Sequence, residues 1–76
     1  MNYMSREIDH AELKRIVGKF TWLRESRGIS ARSLSLKIGK SAGYIYELEA
    51  GRLNISLVGF LDLCEELGVS PKTMFE

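Results

Sequence analysis

The sequence predicts an all-α fold, a compact bundle of five short helices. Three observations carry that expectation. No stretch alternates apolar and polar side chains for long enough, or with enough β-branched residues, to make a strand. Apolar residues recur instead at offsets of three and four, the spacing that gathers side chains on one helix face. Serines open most of these patterns and glycines close them, as N-caps and C-terminal stops do.

The first helix is marked by Leu13, Ile16, Val17, Phe20 and Leu23 and is stopped by Gly28. Arg24 and Arg27 suit the negative end of its dipole. Residues 1–11 are read as an N-terminal tail, leaving 12–76 as the domain. Ser30 caps a second helix with Leu34 and Ile38 inward, and Gly39 ends it. Ser41 opens a third, residues 41–50, with Ile45 and Leu48 as its apolar pair before Gly51. Ser56 begins a fourth, whose inward residues are Leu57, Phe60, Leu61, Cys64 and Leu67, closed by Gly68. Ser70-Pro71 starts a last short helix through Met74 and Phe75, with proline at the first helical position.

With 76 residues the chain has room for one domain. A chain of this size buries only about 60% of its unfolded surface, so its stability is marginal without a staple. One cysteine, Cys64, makes no internal disulfide, and with the single His10 it makes no zinc site. A partner subunit is the remaining helper, and no metal or cofactor is expected. No apolar run approaches the ~20 residues of a membrane span. The polar start lacks a signal-peptide core, so the expected location is cytoplasmic. No paired acid/base set, nucleophile triad or Gly-rich phosphate loop is present, and no enzyme is expected.

The net charge of +1 conceals an asymmetry. Residues 1–13 carry −2, residues 14–52 carry +6 and residues 53–76 carry −3. A basic middle between acidic ends points to one face turned towards a polyanion and another turned elsewhere. That middle also holds two short helices around a glycine turn. Leu34, Ile38, Ile45 and Leu48 form their apolar clasp, Gly39 permits the turn, and small Ser35 allows close approach. This is the spacing of a DNA-binding helix-turn-helix, whose second helix enters the major groove.

The longer frame resembles the phage-repressor family of the Cro/cI (XRE) type. The matching residues are Leu23-Arg24, Gly28-Ile29-Ser30, Leu34, Ile38-Gly39, Ser41, Ile45 and Leu48-Glu49-Ala50-Gly51. Asn54-Ile55-Ser56-Leu57 and Leu67-Gly68-Val69-Ser70 complete the set, which spans residues 13–75. The resemblance implies a lambda-repressor-like domain in which helix 3 reads double-stranded DNA. It also implies a structural ion pair between Arg24 and Glu49. The chain departs from the family at Ala31, Ser35, Lys40, Ala42 and Gly43, the last two in the first turn of helix 3, where Gly43 costs about 1 kcal/mol relative to alanine.

On this reading the base-facing residues are Ala42, Gly43, Tyr46 and Glu47. Alanine touches thymine methyls, and glutamate accepts from a cytosine amino group. Phosphate contacts fall to Ser30, Arg32, Lys40, Ser41, Tyr44, Arg52 and Asn54, basic or polar residues at helix starts and turns. Val58, Leu63, Met74 and Phe75 form a dimer face in the acidic third of the chain. Trp22 falls off the first helix's apolar stripe, which leaves it covered by Tyr3, Met4 and Ile8, covered by a partner, or simply exposed; Leu36 is similarly outward. The function expected is a DNA-binding transcriptional regulator, a repressor acting as a homodimer on a palindromic operator. The alternative is a protein-interaction module or antitoxin on the same scaffold, with a protein partner and secondary DNA binding.

Overall fold

The computed structural model describes the backbone from Met4 to Glu76 and side chains from His10 onward. Helix α1 spans Met4–Ser26, α2 Ala31–Lys37, α3 Tyr44–Glu49 and α4 Leu57–Leu67. The last element, Pro71–Phe75, is a 3₁₀ helix rather than a fifth α-helix. Five residues give no room for a developed α-helical ladder, and tighter turns are the usual solution at such lengths. The described residues contain no strand.

Three serine caps place their hydroxyls as the sequence pattern anticipates. Ser30 accepts from the Ser33 amide, Ser56 from that of Gly59 and Ser70 from that of Lys72. Gly39 sits at φ +77°, in the left-handed region that glycine reaches without a Cβ penalty, and so turns α2 towards α3. Helix α1 begins at Met4, so the stretch 4–11 read as tail is helical. The covering of Trp22 by Tyr3, Met4 and Ile8 lies outside the described side chains.

The core gathers Ile16 and Phe20 of α1, Leu34 of α2, Ile45 and Leu48 of α3, and Phe60, Leu63, Cys64 and Leu67 of α4. Met74 closes it from the 3₁₀ helix. Phe20 meets Phe60 edge-on, with ring centroids 5.7 Å apart, a favoured aromatic geometry. Helix α4 is rotated from the phase expected, although Phe60, Cys64 and Leu67 face inward as anticipated. Leu57 and Leu61 are exposed, while Leu63 and Gly59 are buried. Leu63 at 0% exposure and Met74 at 2% are therefore core residues and not part of a dimer face. Val58 and Phe75, the other two residues assigned to that face, are exposed at 64% and 57%.

Candidate nucleic-acid interface

Helix α3 has only six residues, too few to hold a helix in water without tertiary support. Its support is specific. At its end, Glu49 accepts two hydrogen bonds from Arg24 of α1, from Nε at 2.8 Å and from Nη2 at 3.0 Å. The remaining guanidinium donor, Nη1, reaches the Ile29 carbonyl at 2.8 Å. The bidentate bond to Glu49 holds the Arg24 pKa above its ordinary value. Both side chains are mostly enclosed, at 11% and 21% exposure, so this pair ties α3 to the scaffold.

The start of α3 differs from the expected one. The helix begins at Tyr44 with Gly43 as its N-cap residue, and no side chain caps it there. Ser41 lies three residues upstream, where its carbonyl accepts from the Tyr44 amide. Ala42 and Gly43 thus belong to the turn and not to the helix, and Gly43 does not weaken a helix interior. The amide left over at this end is served instead by Ser35 of α2, whose buried hydroxyl accepts from the Ile45 amide at 2.9 Å. Sequence reasoning missed this polar role, having read Ser35 only as small. Its signal was available, since a serine at a position otherwise apolar inside a core needs a partner.

Two aromatic–cation pairs flank the helix. Arg52 donates to Glu47 at 2.6 Å, and its guanidinium lies 5.3 Å from the centre of the exposed Tyr46 ring. The bond from Arg52 holds the Glu47 carboxyl below its ordinary pKa. Glu47 is thus engaged by Arg52, rather than standing alone towards a base. On the other flank Lys40 lies 5.2 Å from the centre of the Tyr44 ring. Tyr44 packs against the core, and its hydroxyl stands where a Cβ on Gly59 would come within 2.8 Å. Burial, then the nearby Asp62 charge, raises its pKa. Tyr44 thus packs between α3 and α4 while staying partly exposed.

The other predicted contacts separate into groups. Ser30 and Arg32 are exposed at the start of α2, and Arg32 makes no ion pair among the described residues. Ser41 and Gly43 are exposed in the turn, and Ala42 is half-buried beside them. Asn54 is exposed beyond α3 and lines a groove of about 590 Å³ together with His10 and Lys14 of α1. No described group of His, Cys, Asp and Glu residues is arranged to hold a metal ion.

Comparison with known proteins accounts for this arrangement. The helix-turn-helix family matches residues 21–73. The chain belongs to that family. Among its helix-turn-helix relatives is the uncharacterized HTH-type transcriptional regulator y4dJ of Sinorhizobium fredii (strain NBRC 101917 / NGR234). It is 32% identical over 60 residues, covering 78% of each chain. The fold is similar to the restriction-modification controller protein C.AhdI from Aeromonas hydrophila, with a TM-score of 0.75 and 31% identity over 86% of this chain and 98% of that one. The chain is thus a DNA-binding transcriptional regulator of the helix-turn-helix family, and α2 and α3 lie within the matched residues. No described helix is long and apolar enough to cross a membrane.

Proposed function

We propose that this helix-turn-helix protein is a transcriptional repressor that occupies a palindromic operator as a homodimer. The observation that supports the reading is a third helix pinned at both ends from inside, with Tyr46 exposed on its outer side beside the Arg52–Glu47 pair. Arg24 and Ser35 fix the two ends of α3 from inside, while Tyr46 is 60% exposed on its outer side. Gly43 brings bare backbone to the same turn, and half-buried Ala42 offers a methyl beside it. These two and Tyr46 form the proposed base-facing set, with Glu47 acting through Arg52. Arg32, Lys40 and Arg52 supply the phosphate charge, with hydroxyls or amides of Ser30, Ser41 and Asn54 alongside.

Dimerisation is proposed through the apolar surface on the opposite side of the charge pattern. Leu57, Leu61 and Phe75 border a groove of about 500 Å³ floored by Ile16 and Phe60, and Val58 is exposed on the same helix. Large exposed apolar residues clustered in this way mark interaction sites. Two-fold pairing there would set two α3 helices about one DNA turn, ~34 Å, apart. Selection of bound sequences from a random duplex pool tests the whole proposal. It is expected to return an inverted repeat with half-site centres about 10 base pairs apart. Recovery of single half-sites alone would contradict the dimer, and recovery of no preferred sequence would contradict the operator.

A further inference from the structure

The start of α3 is held by a residue of another helix. Ser35 lies inside α2 at 0% exposure and is the buried polar side chain of the described residues. Its Oγ donates to the Ala31 carbonyl at 2.8 Å, which commits the one proton the hydroxyl has. An oxygen lone pair is then left to accept from the Ile45 amide at 2.9 Å. Ile45 is the second residue of α3, where an N-cap side chain would ordinarily take the amide. Gly43 has no side chain to do this. The hydroxyl therefore replaces the missing cap from ten residues away.

We infer that Ser35 is a positioning residue for the recognition helix, its hydroxyl fixing how the amino end of α3 sits against α2. This rests on the operator-binding reading above. The Glu49–Arg24 pair fixes the opposite end of α3. Without the Ser35 hydroxyl, that end stays anchored while the first turn, held only by the packing of Tyr44 and Ile45, gains room to tilt. Gly43 and Tyr46 would then meet the bases in varying registers. The phosphate contact by Arg32 lies on α2, and Arg52 is tied to the later part of α3 through Glu47, so both tolerate a tilt of the first turn and the loss falls on base discrimination.

The test compares wild type with Ser35→Ala and Ser35→Cys, each at a temperature where circular dichroism shows it folded. One arm follows amide hydrogen exchange of Ile45 against Leu48 without DNA. The other measures affinity for the duplex selected by wild type and for a scrambled duplex. An unpaired amide costs about as much as a tenfold change in an equilibrium constant. In Ser35→Ala the Ile45 amide is expected to exchange about tenfold faster relative to Leu48, and preference for the selected duplex to fall about tenfold. Affinity for the scrambled duplex and its salt dependence are expected to stay unchanged. Ser35→Cys, a weaker acceptor of similar shape, is expected to fall between, and decides the matter should Ser35→Ala not fold. Unchanged Ile45 exchange, retained preference in both variants, or an equal loss on both duplexes overturns the inference. A wild type with no preferred duplex overturns the operator reading itself, and that failure is seen before any variant is made.

Discussion

Arg24 shows how much a single side chain holds in this chain. Its guanidinium joins α1, the Ile29 carbonyl before α2, and Glu49 at the end of α3. Arg24→Ala leaves Glu49 without its partner in a mostly enclosed site and is expected to lower unfolding free energy by about 2–4 kcal/mol. Urea denaturation measures this. Glu49→Ala is expected to cost a comparable amount, and the double variant less than the two combined, because both act on one interaction. Cys64 makes a different residue-scale prediction. Burial pushes its thiol pKa up, so the folded state disfavours the thiolate. That contribution is fully present below the unfolded thiol's pKa of about 8.5 and is lost as pH rises beyond it. Stability is therefore expected to decline across that alkaline range, and Cys64→Val to remove part of the decline in thermal melts followed by pH.

At the scale of elements, α3 and α4 meet through Tyr44 and Gly59. A Cβ at Gly59 would lie 2.8 Å from the Tyr44 hydroxyl and 3.2 Å from the Ser56 hydroxyl. Alanine inside a helix is otherwise worth about 1 kcal/mol over glycine. Gly59→Ala is expected to bring no stabilisation in the native background, because the collision offsets that gain. In a Tyr44→Phe background the same substitution is expected to recover part of it, as thermal melts of the four variants would show. The same elements show which parts of the fold were legible. Caps at Ser30, Ser56 and Ser70 depend on amides two or three residues away, so local sequence sufficed to place them. The start of α3 depends on Ser35, ten residues distant, and Ser41 only imitated a cap. The phase of α4 was ambiguous, since Phe60, Cys64 and Leu67 face inward on either reading. Tertiary packing decided the rest, burying Gly59 and Leu63 and turning Leu57 and Leu61 outward. The packing of Tyr44 was hidden for a related reason: nothing local says that a tyrosine beside a helix start will bring its hydroxyl close to the next helix.

For the whole molecule, the charge asymmetry and the small core have one explanation. The basic stretch forms the helix-turn-helix, but the fold uses part of its charge internally. Arg24 is tied to Glu49, Lys37 lies 3.9 Å from Glu66, and Arg27 donates to the Leu67 carbonyl. Arg32 and Lys40 keep no ion pair among the described residues, and they supply the proposed face for phosphates. Leu57, Leu61, Val58 and Phe75 stay exposed on the acidic side, and a second copy is the proposed cover. Leu57→Lys combined with Phe75→Lys is expected to give a monomer in sedimentation and to weaken operator binding at least tenfold, with little change in the far-ultraviolet spectrum. On the proposed function, the α2–α3 face binds duplex DNA through phosphate charge and the outer side of α3. Affinity for a duplex measured across salt tests it most directly. Steep dependence is predicted, with Arg32→Ala and Lys40→Ala each lowering the slope of log affinity against log salt by about one unit. Binding that is absent at about 50 mM salt, or flat with salt and unaffected by either substitution, would contradict it.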